Sequence, residues 1–219
     1  MRRGLIYVEG QTEETFVRDV LAPDLASRLN MALTPVLAKT KRTKAGATFK
    51  GGISSYSQVK KEIRQLLRDS NVVLVTTMID YYGLPNDFPG QDTLPAGTPY
   101  ERVRHLEDAF QNDIGDPRFL PFLVLHEFEA LVLAGLDHLP SVLPGCAQQV
   151  SQLTQDIGGL SPEEINEGHT THPSARICQH LPDYQKRLHG PRVVQRTGLD
   201  TLRQKCPHFA DWMHRLESV

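Results

Sequence analysis

Acidic residues stand where apolar runs end. Leu5-Ile6-Tyr7-Val8 runs into Glu9 and Gly10, and the run that opens with Val72-Val73-Leu74-Val75 reaches Asp80. A third run, Phe119 to Leu125, leads into His126-Glu127-Phe128-Glu129. Short apolar runs of this kind read as strands of a parallel sheet covered on both faces. Residues just beyond such strands gather on one edge of the sheet, where ligands of α/β proteins bind. Two carboxylates within a few ångströms of each other repel unless they share a proton or a cation. Hard oxygen ligands with open positions suit magnesium or manganese. Glu9, Asp80 and one of the Glu127/Glu129 pair are therefore candidates for a divalent-metal site. The competing roles are structural: Glu9 as a helix cap or the partner of a lysine, and Asp80 as the anchor of the loop that follows. In a continuous helix Glu127 and Glu129 diverge by about 200° around the axis, so only one of them is expected to face the site.

Positive groups supply the other half of a phosphate site. Lys39, Lys41, Arg42 and Lys44 lie in a polar, glycine-containing loop between Ala38 and the next helix. Flexible lysines there could track a nucleic-acid backbone without reading its sequence; a solvated loop is the plain alternative. Ser174 and Arg176 could meet a phosphate, with Lys186 farther along the same expected helix; an internal ion pair from Arg176 to a sheet-edge carboxylate competes with that. His126-Glu127 lacks the second histidine of a zinc-protease helix. The histidines from His169 to His189 show no consistent zinc-ligand spacing.

The elements that must carry these groups follow from periodicity. Leu5–Val8 is a strand, Gly10 a tight turn, and Thr12 a cap for a helix opening with Glu13-Glu14 that Pro23 breaks or restarts. Ala32–Ala38 is a second strand, Val59 to Leu67 a helix, Asn71–Ile79 a third strand, Tyr100–Phe110 a helix, and a fourth strand begins near Pro121. Alternation of strand and helix implies an α/β fold with a mostly parallel central sheet flanked by helices. From about Leu136 the segments become short and polar, with helices expected near 146–156, 162–167, 172–188 and 207–217. The expected organisation is an α/β domain over residues 1–135 with an α-helical extension over 136–219.

Bulk properties narrow the classes. The chain has 219 residues, 39% hydrophobic and 23% charged, enough for a sizeable core and against disorder as the default. A net charge of −2 argues mildly against strong autonomous DNA binding, yet leaves room for a local basic groove. Three separated cysteines without a Cys-x-x-Cys pair argue against a disulfide framework or zinc ribbon and fit a reducing cytoplasm. The apolar start is too short for a signal peptide or a membrane span.

The residues also carry a resemblance. Val8-Glu9-Gly10-Gln11-Thr12-Glu13-Glu14-Thr15-Phe16 is similar to the first Toprim motif, and Met78-Ile79-Asp80-Tyr81-Tyr82-Gly83 sits where the Toprim Asp-x-Asp motif would. Phe128-Glu129-Ala130-Leu131 resembles the Phe-Glu segment of Toprim-like bacterial defence proteins. Ile165-Asn166-Glu167, Pro173-Ser174-Ala175-Arg176 and the stretch from Gly198 to Phe209 resemble an uncharacterised Toprim-related bacterial family, often encoded beside ATPases of the AAA or overcoming-lysogenisation-defect type. The resemblance implies a Toprim-like fold and a magnesium or manganese site on Glu9, Asp80 and Glu129. Tyr82 stands where the second aspartate would, so one ligand must come from elsewhere; Glu129 is the first choice and Asp87 the second. Two functions are expected to compete. One is a metal-dependent nuclease or phosphodiester-processing domain of a defence-type system, acting on nucleic acid. The other is a non-catalytic module that binds or regulates a separately encoded AAA/ABC-type ATPase. Neither implies a membrane, and both leave open a homo-oligomer.

Overall fold

The computed structural model describes all residues except 40–52, 54, 166, 167 and 169. Strand β1 (Arg2–Val8) passes through Gly10 into α1 (Gln11–Phe16), a π-helical turn and α2 (Ala22–Leu29), which returns the chain to β2 (Met31–Leu37). Pro23 falls in the first turn after the π segment, and the helical path continues through it rather than breaking. Helix α3 (Tyr56–Leu66) leads to β3 (Val72–Asp80). Helix α4 (Pro99–Ile114), held by a Thr98–Glu101 capping box, leads to two short strands, β4 (Phe119–Leu120) and β5 (Leu123–Val124).

The sheet is parallel throughout, in the order β2-β1-β3-β4, with β5 also beside β3. Pro35 is tolerated because β2 pairs only with β1 and is an edge. The expected fourth strand is split at Pro121-Phe122. There the Thr77 hydroxyl replaces the ladder: it accepts from the Phe122 N–H and donates to the Phe122 carbonyl, both at 2.8 Å. Register aligns Val8 with Met78, and Asp80 with Val124, so β1, β3 and β5 end on one rim.

Alternating residues feed two cores, one on each face of the sheet. Leu5, Tyr7, Val75 and Ile79 pack with α3 and α4, while Ile6, Val8, Leu74 and Met78 join the larger core. That larger core is closed by the C-terminal helices: α5 (Glu129–Leu133), α6 (Leu139–Val142), α7 (Ala147–Ile157), α8 (Pro173–His180), α9 (Lys186–Thr197), α10 (Leu199–Lys205) and α11 (Pro207–Glu217). Trp212 of α11 stacks on Phe122, with centroids 4.2 Å apart, and its indole N–H donates to the Thr76 hydroxyl.

The helix expected over 172–188 is two helices, because the chain turns through Leu181-Pro182. Helix α9 begins within that expected stretch and runs on through Gly190-Pro191, and α9 beyond residue 188 and all of α10 lie where no helix is expected. Gly190 is there for close approach: a Cβ would lie 3.0 Å from the Tyr184 hydroxyl and 3.5 Å from the Phe128 ring. That contact presses α9 onto α5 and brings Lys186 to the rim of the sheet. Among the described residues no helix is long and apolar enough to cross a membrane.

Candidate metal centre

Glu9 is the first residue past β1. Its backbone N–H still reaches the Met78 carbonyl at 3.3 Å, so the strand pairing delivers it beside β3. Its Oε2 accepts the Asp80 N–H at 3.2 Å, and its other oxygen faces Gly83, where a Cβ would come within 3.1 Å. Helix α1 starts from Gly10, not Thr12, and Thr12 already lies inside it. The earlier start swings Glu13, one turn on, inward to near-complete burial.

Asp80 closes β3 and accepts the Phe128 N–H at 3.1 Å. Burial and the charges of Glu13, Glu9, Glu129 and Glu127 push its carboxyl well above the aspartate range. Burial likewise raises Glu9 to about 7 against the hydrogen bond from Asp80, and Glu13 in the same direction.

The segment after β5 bends sharply. His126 adopts a left-handed backbone (φ 68°), so Glu127 precedes the helix and only Glu129 belongs to α5. The expected divergence of the two glutamates therefore does not arise: Lys186 Nζ lies 3.0 Å from Glu127 Oε2 and 3.2 Å from Glu129 Oε2. Their environments differ. Burial alone would raise Glu127, but Lys186, the Ser174 N–H and His172 outweigh it and hold the carboxyl at about 2. Glu129 is 2% exposed, has Lys186 as its donor at one oxygen, and its Oε1 is buried with no hydrogen-bond partner among the described residues. Burial carries it to about 7 in spite of Lys186. The lysine itself, pulled down by burial, is pushed up further by Glu129 and Glu127 and stays charged.

The balance is one of excess negative charge. Asp80 feels the charges of Glu13, Glu9, Glu129 and Glu127 at one rim, and Lys186 offsets Glu13, Glu127 and Glu129. Among the described residues no three His, Cys, Asp or Glu side chains are grouped closely enough to hold a metal ion as they stand. The chemistry of the donors nonetheless fits a hard divalent ion: oxygen ligands, a buried acceptor without a partner among the described residues, and carboxyls that burial raises above the usual range.

A family model described as a domain of unknown function, DUF4276, matches residues 8–217. The chain belongs to the DUF4276 family. No curated protein matches it. The C-terminal region of the Burkholderia pseudomallei OLD protein is similar over 98% of both chains, at 15% identity and a TM-score of 0.42, a superposition too loose to carry a functional argument.

Other expected site residues of this DUF4276 chain fall in several places. Lys186 enters the site, but as the ion-pair partner of two glutamates and from a different helix than Arg176. Arg176 is turned away: it pairs with Asp156 of α7 at 2.9 Å and donates to the Thr171 carbonyl, so it is not available as a phosphate contact, and its partner is not at the sheet edge. Lys39 follows β2 on the same rim as Glu9 and is exposed. Lys41, Arg42 and Lys44 lie outside the described residues. Tyr82 is held by its hydroxyl to His126 Nδ1 at 2.8 Å, and Asp87 accepts the Tyr56 N–H at the start of α3 and is not among the acids acting on Asp80. Glu13 and His172 carried no site role in the sequence. The Glu9–Glu13 spacing of one helical turn was the available signal for the first, and nothing local marked the second, which caps α8. Ser174, expected to meet a phosphate, instead gives its N–H to Glu127.

Proposed function

We propose that this chain is a divalent-metal-dependent phosphodiesterase of the nuclease type, with magnesium or manganese held by Glu9, Asp80 and Glu129. The observation that carries the reading is the convergence of these acids at the carboxyl ends of β1 and β3 and the start of α5, with Glu129 Oε1 buried and unpartnered. The likeness of the segments around Glu9 and Asp80 to Toprim motifs points the same way. A bound divalent ion supplies Lewis-acid polarisation of the phosphate and a more acidic water. The chain's own groups do the rest. Lys186, 46% exposed, offers a fixed positive charge to a phosphate oxygen entering beside Glu127 and Glu129. Glu13 adds negative charge behind the ligands and strengthens cation binding. Asp80 is aimed by the Phe128 N–H, and Glu9 by the Asp80 N–H. Lys39 on the neighbouring strand end adds a positive charge beside this acidic rim, where a nucleic-acid strand would run.

The test is cleavage of labelled DNA and RNA with magnesium or manganese. Glu9→Gln and Asp80→Asn proteins with unchanged circular dichroism should lose at least about 100-fold in rate, the loss of roughly 3 kcal/mol of transition-state stabilisation. Cleavage that survives both changes rules this site out.

One observation favours a second reading, a non-catalytic module that binds a separately encoded ATPase. Lys186 already bridges Glu127 and Glu129, and Tyr82 is committed to His126 where a further aspartate would help hold metal. Calorimetry separates the two: no heat with millimolar magnesium or manganese, and no cleavage with the ATPase added, favours the module.

A further inference from the structure

A proton donor is needed wherever a phosphodiester releases an unactivated alkoxide. Two of the three Lys186 hydrogens are given to carboxylates that hold the ammonium charged, so it suits a phosphate contact better than proton release. His172 is placed differently. It sits at the start of α8, and its Nδ1 lies 2.8 Å from Glu127 Oε1, the oxygen that also accepts the Ser174 N–H at 2.7 Å. With the Ser174 amide and Lys186 both donating to it, Glu127 is an acceptor, so Nδ1 carries the hydrogen. The Ala175 amide, 3.4 Å from that nitrogen, is then not bonded to it. Ser174 Oγ, at 3.1 Å, closes the same side of the ring. The opposite nitrogen, Nε2, makes no hydrogen bond among the described residues, and the side chain is 31% exposed. A carboxylate fixing one imidazole nitrogen while the other is left without a bond in a partly exposed ring is an arrangement that orients a histidine for proton transfer.

Resting on the phosphodiesterase reading, we infer that His172 is the general acid of this site and Glu127 its positioning residue. In the step, a water oxygen bonds to phosphorus and the bond to the leaving oxygen breaks with its electron pair. The leaving oxygen takes the proton from Nε2 of the imidazolium, the water's surplus proton passes to solvent, and solvent later reprotonates Nε2. The sum is phosphodiester plus water giving phosphomonoester plus alcohol.

The experiment compares two leaving groups on the full chain with manganese: a 5′-labelled single-stranded DNA, and bis(p-nitrophenyl) phosphate, whose leaving group departs without a proton. His172→Gln should slow DNA cleavage by about 100-fold or more, and the loss should shrink to within about threefold on the nitrophenyl ester. Equal losses on both substrates, or none on either, overturn the inference and leave the metal site standing. A wild-type protein that cuts neither substrate overturns the phosphodiesterase reading and this inference with it. Nitrogen-15 NMR of the imidazole gives a readout independent of activity: the neutral ring should be the Nδ1–H tautomer and should lose that preference in Glu127→Gln. An Nε2–H tautomer in the wild type overturns the assignment.

Discussion

Replacing Glu129 with glutamine removes a charge from a place that already holds too many. Glu129 is 2% exposed, and burial carries its carboxyl from 4.5 to about 7. Because the folded value is raised, the group costs nothing below pH 4.5, where it is neutral in both states. The cost grows between pH 4.5 and 7 and is complete above 7. The full cost is roughly 3 kcal/mol, reduced because glutamine gives up part of the Lys186 contact. Without metal at pH 8, Glu129→Gln should therefore be more stable than the wild type by about 1–3 kcal/mol, or roughly 3–9 °C in a chain of this size. The advantage should shrink to under about 1 kcal/mol at pH 5. Manganese should invert the order, because an ion bound only by the folded state adds about 2.7 kcal/mol at a hundred times its dissociation constant, and the variant has lost a ligand. Urea and thermal unfolding at pH 5 and 8, in chelator and in manganese, measure all of this. A variant less stable than the wild type at pH 8 in chelator refutes the reasoning, for it would show that the carboxylate is already balanced by its surroundings.

Lys186→Met should have the opposite sign. It strips the cation from Glu127 and Glu129, should cost about 1–3 kcal/mol in chelator at pH 8 after allowance for the partial exposure of the lysine, and should enlarge the stabilisation by manganese; equal manganese shifts in both proteins would count against a shared site. Far from the site, Glu217 is held at about 2 by Arg203 and Arg28, with Arg28 at 2.7 Å. Its folded value is lowered, so its contribution is present above pH 4.5 and lost as pH falls toward 2. Glu217→Gln should cost about 1–2 kcal/mol at pH 7 and nothing at pH 2, read from urea midpoints, and a loss that persists at pH 2 would mean packing rather than charge.

What was legible in the sequence is what local pattern encodes. Strands buried on both faces show as unbroken apolar runs, so β1 and β3 stand out, and Glu9 and Asp80 are fixed to one rim by the parallel pairing alone. The Tyr82 departure is also a matter of position, and no fold is needed to see it. The rest of the site depends on contacts between segments far apart in the chain. Glu127 and Glu129 share a lysine because His126 takes a left-handed turn before α5 begins, its ring held between the Tyr82 hydroxyl and the Glu163 carbonyl. Lys186 and His172 reach Glu127 across 59 and 45 residues, brought there by the packing of α8 and α9 on α5. Arg176 looked equally available, yet the same packing turns it toward Asp156. Side-chain convergence between helices is set by which faces bury one another, and a single sequence records the faces but not their partners.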